Sequence, residues 1–149
     1  VTGDAVATTA QLSPIATYEG QIVGHNIVNG PTKVPDYTVL PSAVFTVPAL
    51  ASVGLTGKEA ADRGMDVTVT TTDMTGWFSA RSYGETVAWA KVLVDKATDR
   101  IVGAHLVGHH GEELIHLFAL AMRQGISATD LRDLPTAYPT FASDMKNLF

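Results

Sequence analysis

Four prolines placed close together divide this chain into two parts. They are Pro31, Pro35, Pro41 and Pro48. Each proline fixes its own φ, lacks an amide donor and disfavours helical geometry in the residue before it, so no long helix can run through this segment. The sequence therefore predicts an extended connector with a domain boundary near Val39. We expect residues 1–39 to form a tail and residues 40–149 to form the main domain.

The tail contains one predicted amphipathic helix. Apolar residues recur at steps of three and four from Leu12 to Ile27, which is the period of one helix face. Ser13 followed by Pro14 predicts an N-cap and a first helical residue. The Asn29-Gly30 pair predicts the end of the helix.

The main domain alternates strand and helix patterns. Strands are predicted at 43–46, 51–55, 66–72, 86–94 and 101–107. In the third strand Val67 and Val69 alternate with threonines, and in the fourth Ala88, Ala90, Val92 and Val94 share one face. The fourth and fifth strands are joined by a polar turn and form a hairpin. Antiparallel strands with helices packed to one side are typical of an α+β fold.

Local signals also place the helices of the main domain. Thr56 and Glu59 have the spacing of a capping box, and Ser127 to Asp130 caps a short helix. The segment 114–122 is apolar almost all round, which predicts burial on several sides. Thr140 starts the last helix.

Composition narrows the class of protein. The chain is 46% hydrophobic and 17% charged, carries a net charge of −5 and has no cysteine. The 10 basic residues form no run, so nucleic-acid binding is not expected. No apolar run reaches the ~18 residues of a membrane span, so no membrane association is expected. A sparsely charged surface suits a protomer with a large partner interface, and a cytoplasmic location is expected.

A histidine-rich stretch and three aromatic residues are candidate sites. The stretch contains His105, His109, His110 and His116 with Glu112 and Glu113 between them. Glu112 and His116 are one helical turn apart, but the spacing matches no established zinc motif, so capping and packing are favoured and no metal site is predicted. Trp77, Phe78 and Trp89 are expected to be core or interface anchors on strands.

Five motifs in order along the chain resemble one family. They are Thr2-Gly3-Asp4; Leu12-Ser13-Pro14-Ile15-Ala16 with Glu19-Gly20; Val44 to Thr56; Ile101 to Gly108 with Glu113; and Leu134 to Asp144. The set is similar to the FAD-dependent pyridine nucleotide–disulfide oxidoreductases, which include glutathione reductase, dihydrolipoamide dehydrogenase and mercuric reductase. The resemblance covers nearly the whole chain.

The resemblance implies a specific organisation. Members of the family are homodimers that carry FAD and take hydride from NADPH or NADH. Residues 1–39 would be the end of the flavin domain plus a linker, and residues 40–149 would be the interface domain that forms the dimer. By resemblance, the residues that contact the cofactor are Gly3, Asp4, Leu12, Ser13, Tyr138 and Pro139. The last two lie in a loop that reaches the partner subunit's flavin.

The sequence departs from the family at that loop. Tyr138 stands where the family has a histidine, and Ser143 stands where it has a glutamate that pairs with this histidine. A tyrosine, with an ordinary pKa near 10, is a poorer base at neutral pH than an imidazole. Asp144 is adjacent, but one helical step of about 100° turns it away from the Ser143 direction. Glutathione or lipoamide turnover by the usual mechanism is therefore not expected, although Tyr138 could stack at the flavin, close the pocket or hydrogen-bond another substrate.

Three hypotheses follow from these observations. In the first, the chain is the C-terminal part of an FAD-dependent NAD(P)H oxidoreductase; because it has no G-x-G-x-x-G loop and no cysteine pair, it would be an inactive dimerisation module by itself. In the second, it is a free-standing interaction module without flavin chemistry. In the third, the parent is an enzyme that acts on quinones, metals or oxygen instead of disulfides.

Overall fold

The computed structural model describes residues 2–7 and 10–149, which form two compact units, Val1–Tyr37 and Thr38–Phe149. The first unit contains a short 3-10 turn, Gly3–Ala5, and a long helix α1, Ser13–Asn29. The tail helix is thus confirmed, and it ends at Gly30, whose φ is 79°. The predicted role of Ser13 as N-cap is wrong. Leu12 is the extended residue before the helix, and it provides no side-chain cap because its apolar side chain cannot accept a hydrogen bond.

Among the described residues of the second unit, five strands form an antiparallel sheet. They are β1 (Ser42–Val44), β2 (Leu50–Gly54), β3 (Val67–Asp73), β4 (Trp89–Asp95) and β5 (Arg100–Val107). Their order in the sheet is β1-β2-β5-β4-β3. The hairpin of β4 and β5 therefore lies at the centre, and β1 and β3 are the edges.

The helices of the second unit follow the predicted order, with one addition. They are α2 (Gly57–Asp62), α3 (Phe78–Ser82), α4 (Gly111–Gln124), α5 (Ala128–Asp133) and α6 (Phe141–Asp144), followed by a 3-10 turn, Met145–Asn147. The capping boxes at Thr56 and Ser127 are present. The short helix α3 was not predicted, so Trp77 and Phe78 do not lie on a strand as expected. Trp77 precedes α3 and Phe78 begins it.

The core lies between α4 and one face of the sheet. Its sheet residues include Ala51, Val53, Ala90, Val92, Ala104 and Leu106, and its helix residues include Ile115, Phe118 and Ala121. Phe118 and Ala104 are fully buried. This arrangement confirms the α+β fold with an antiparallel sheet and helices packed to one side.

The predicted burial patterns of two strands need correction. Val69 is 47% exposed, and Thr70 and Thr72 are better covered than it is, because β3 is an edge strand with little packed against either face. A register shift between Leu93 and Val94 places Leu93 in the interior and leaves Val94 only partly buried.

Helix α4 was expected to be buried on several sides, but it is not. Leu117 and Leu120 are exposed while Ile115, Phe118 and Ala121 are buried. The helix therefore covers the sheet with one face and presents apolar side chains on another.

The described part of the chain has no helix long and apolar enough to cross a membrane.

Candidate functional site

The predicted site residues of the first unit lie at the 3-10 turn and at the start of α1. Gly3 has a φ of 73°, a left-handed conformation that glycine adopts without strain. Asp4 is exposed and Leu12 is partly exposed, while Ser13 lies on the surface of the first helical turn. These four residues are thus near the N-terminus of a long helix, whose free amides favour electron-rich groups.

Glu19 holds this turn together. Its carboxylate accepts hydrogen bonds from the Gly3 amide at 2.7 Å, the Thr2 hydroxyl at 3.2 Å and the Tyr37 hydroxyl at 2.7 Å. The Tyr37 bond, and then the Gly3 bond, hold the pKa of Glu19 below its ordinary value of 4.5. The same bond raises the pKa of the Tyr37 hydroxyl.

Sequence reasoning assigned no role to Glu19. A signal was present, however, because an acidic residue lies on the buried face of α1 between Ile15 and Ile22. A buried carboxylate needs hydrogen-bond donors, so its position predicted partners elsewhere in the chain.

The second group of predicted residues forms a loop before α6. Tyr138 is 74% exposed, and its ring centroid lies 6.2 Å from that of Phe78. The phenol is therefore presented outward, with an aromatic ring of α3 beside it.

Ser143 takes part in the cap that starts α6. Its amide donates to Thr140 Oγ1 at 3.1 Å, and its hydroxyl donates to the Thr140 carbonyl at 2.6 Å. The Thr140 amide in turn donates to Ser143 Oγ at 3.2 Å. Ser143 is buried in these contacts and does not face Tyr138 as a proton acceptor.

Asp144 connects α6 to α3. Its carboxylate accepts a hydrogen bond from the hydroxyl of Ser79, which is itself buried. Asp144 is therefore directed at α3 while Ser143 is directed at the cap. This bond joins the two elements that carry Phe78 and the Tyr138 loop.

A cleft of about 520 Å³ lies beside this loop. Its walls are largely aromatic or apolar, with hydroxyl, imidazole and carboxylate groups among them. The lining residues are Phe78, Ser79, Ser82, Tyr83, His110, Glu113, Leu114, Pro139, Thr140 and Phe141. A concave site of this kind, apolar with a few polar groups, is the usual setting for a small ligand.

The structure separates the histidines that the sequence groups together. His105 Nε2 lies 3.0 Å from the Leu55 carbonyl, whereas the rings of His109 and His110 pack against Tyr83 and Phe141. Within residues 2–7 and 10–149, no three histidine or acidic side chains are arranged to hold a metal ion. The sequence predicted capping and packing for this stretch rather than a metal site, but it did not predict the contact with Phe141, the residue that follows the Tyr138 loop.

The face of the sheet opposite α4 carries a second concavity of about 520 Å³. Trp89, Lys91 and His105 contribute to it, together with smaller residues of β1 and β2. Trp89 is 44% exposed there, so this predicted anchor is not part of the core of the chain.

Comparisons with known proteins agree with one another. The family described as "pyridine nucleotide-disulphide oxidoreductase, dimerisation domain" matches residues 40–149. A Staphylococcus aureus protein, described as an uncharacterized 19.7 kDa protein in a mercuric resistance operon, is 43% identical over 147 residues, which is 98% of this chain and 82% of that protein. Mercuric reductase of Lysinibacillus sphaericus is 32% identical over 89% of this chain but only 24% of the enzyme.

Among solved structures, the HOCl-induced flavoprotein disulfide reductase RclA from Escherichia coli has a similar fold. It superimposes with a TM-score of 0.90 at 28% sequence identity, covering 99% of this chain and 34% of the reductase. The chain thus spans about a quarter to a third of the reductases that it matches here and most of the short staphylococcal protein.

Proposed function

The chain belongs to the dimerisation-domain family of the pyridine nucleotide–disulphide oxidoreductases, and from this premise we propose that it is the C-terminal, self-associating portion of a homodimeric FAD-dependent NAD(P)H oxidoreductase. The observation that carries the proposal is the match of this family over residues 40–149, the region that folds into the sheet and its helices. Self-association is the role by which the family is described. The sites for the electron acceptor and for the nicotinamide cofactor would lie in other parts of the parent protein.

Residues 1–39 are proposed to be the end of the flavin domain and its linker. The geometry at Gly3, Asp4, Leu12 and Ser13 supports this assignment, because a glycine-containing turn and the N-terminus of α1 suit a polar cofactor edge. Glu19 would keep the turn in place through its bond to the Gly3 amide. When bound, FAD would supply the redox chemistry, and these residues would orient it.

The loop of Tyr138 and Pro139 is proposed to reach the cofactor site of the partner subunit. The exposure of Tyr138 supports this, since its ring is free to contact another molecule on one side and rests beside Phe78 on the other. Because Ser143 is buried in the cap of α6, Tyr138 would act without a paired acid in this loop. Its role would be to stack or to donate a hydrogen bond rather than to serve as the usual base.

The dimer part of the proposal is tested by sedimentation velocity of the 149-residue chain over a range of concentrations. We expect a monomer–dimer equilibrium in the micromolar range. A strict monomer at high micromolar concentration would contradict the proposal.

The proposed oxidoreductase activity is tested on the protein purified from its natural source. We expect this protein to be yellow and its flavin to be reduced by NADPH or NADH.

A free-standing dimerisation module is the second candidate function. The staphylococcal relative favours it, because a protein of only 19.7 kDa matches this chain over 82% of its own length. The intact mass of the natural protein distinguishes the two candidates. A mass near that of the short relative, with no bound flavin, would support the module, and a chain of full reductase length would support the enzyme.

A further inference from the structure

Two adjacent histidines join the turn between β5 and α4 to the Tyr138 loop. The ring centroids of His109 and His110 are 4.1 Å apart and lie 5.5 and 5.2 Å from that of Phe141. Phe141 directly follows the loop of Tyr138, Pro139 and Thr140. The imidazoles are thus packed against the base of the loop that forms one wall of the cleft.

His109 is held from two further directions. The ring of Tyr83 lies over it at 4.3 Å with an interplanar angle of 30°. Glu85 Oε1 lies 3.4 Å from His109 Nδ1, and both side chains are largely covered, with 20% and 35% of their surfaces exposed. A carboxylate at this nitrogen fixes the orientation of the ring.

His110 faces the cleft. It is exposed, and it lines the cavity together with Glu113 and Thr140. Its φ of 58° is left-handed, which is uncommon for a residue other than glycine. Residues held in such a conformation cluster at functional sites, where the surrounding structure maintains them. The rings of His109 and Phe141 pack against the side chain of His110.

We propose that His110 is an acid–base group for a thiol-bearing ligand in this cleft, with His109 and Glu85 as positioning residues. The inference rests on the proposed function, because a disulfide reductase needs a group that exchanges a proton with sulfur and the loop position holds Tyr138. In the step, the S–H bond of a thiol breaks, an N–H bond forms on the His110 imidazole, and a thiolate and an imidazolium result. The reverse step returns the proton.

The surroundings suit this chemistry. The rings of Phe78, Tyr83 and Phe141 line the cleft, and aromatic rings make favourable contacts with sulfur. Glu113 adds a carboxylate, a hydrogen-bond acceptor, to the same cleft.

The proposal is tested by NMR of the 149-residue chain with labelled histidine, titrated with dithiothreitol. Threitol, which has hydroxyls in place of both thiols, is the matched ligand control. We expect saturable shifts of the His110 ring signals with dithiothreitol and none with threitol. Unmoved His110 signals, or equal shifts with both compounds, would overturn the proposal.

Variants separate positioning from folding. Glu85→Gln and His109→Gln should each reduce the dithiothreitol-induced shift at His110 by at least half. His116→Gln, an exposed change on α4, should leave the shift unchanged. His110→Asn keeps a residue that tolerates the left-handed backbone, so the variant should fold and lose thiol-dependent shifts at its neighbours. If it retains them, His110 is not the group involved.

The outcome is distinguishable from failure of the proposed function. A chain that dimerises but shows no thiol-dependent shift at His110 would remove this assignment alone. A strict monomer would remove the proposed function, whatever His110 does.

Discussion

Two glycines allow β2 and β5 to approach each other more closely than side chains would permit. A Cβ at Gly103 would lie 2.1 Å from the Leu55 carbonyl oxygen, and one at Gly54, where φ is 76°, would lie 2.3 Å from the Val102 carbonyl oxygen. Both contacts are with backbone, which cannot rotate away. The Leu55 amide donates to Val102 at 2.8 Å in the same place. These glycines therefore allow β2 and β5 to stay paired up to the end of their ladder, where Gly54 lies opposite Gly103.

We predict that Gly103→Ala destabilises the chain by about 1–3 kcal/mol, because the methyl group overpacks a rigid backbone contact. Gly57→Ala is the matched control, since nothing lies within 4 Å of a Cβ there and the residue begins a helix. Urea unfolding of both variants measures the difference. An equal stability for both would contradict the prediction.

Because the pKa of the Glu19 carboxylate is lowered, we predict that the stability of the first unit depends on pH. Because its pKa in the folded chain lies below the ordinary value of 4.5, its contribution is fully present above about pH 4.5 and is lost as the pH falls through the lower folded value. Thermal unfolding monitored in the α1 unit should show this loss in acid. Glu19→Gln should flatten the dependence, and Tyr37→Phe should flatten it in part because only one donor is removed.

At the scale of elements, helix starts are specified by local contacts. Thr56 Oγ1 accepts from the Glu59 amide at 3.2 Å, and the Glu59 carboxylate accepts from the Thr56 amide at 2.8 Å. The start of α5 adds a contact with a distant part of the chain, since Asp99 in the β4–β5 turn accepts from the Thr129 amide at 3.0 Å. The bonds from Thr129 hold the pKa of Asp99 below its ordinary value. A capping box can be recognised in the sequence, whereas the Asp99 contact cannot.

We predict that Thr56→Ala lowers the free energy of unfolding by about 0.5–2 kcal/mol, the usual cost of losing an N-cap. Thr56→Ser keeps the hydroxyl and should stay within a few tenths of a kcal/mol of the parent. Chemical denaturation of the two variants tests this. A Ser variant as unstable as the Ala variant would show that the methyl group, not the cap, is responsible.

At the scale of the whole molecule, the second unit leaves apolar surface uncovered on α4. Leu117 and Leu120 are 39% and 53% exposed on a helix whose other face is fully packed. In a dimerisation domain, apolar residues exposed on one protomer are candidates for the centre of the interface.

Replacing both leucines with lysine is therefore predicted to weaken self-association by about tenfold or more. Monomer stability should change little, because half-exposed side chains contribute little to the core. Sedimentation measures association, and Val69→Lys on the edge strand β3 is the control. If the Val69 variant weakens the dimer and the leucine variant does not, the interface lies on the sheet instead.

The sequence by itself determined the tail helix, the five strands, the capping boxes at Thr56 and Ser127 and the α+β class, because periodicity, capping and proline effects depend on neighbours along the chain. Only the tertiary structure decided that β5 lies between β2 and β4, that Val69 is exposed, and that Glu19 collects three donors. It also brought Tyr83, Glu85, His109, His110 and Phe141 together. These residues come from three segments that are separated in sequence, 83–85, 109–110 and 141, and the contacts between the segments exist only once the sheet and helices have packed.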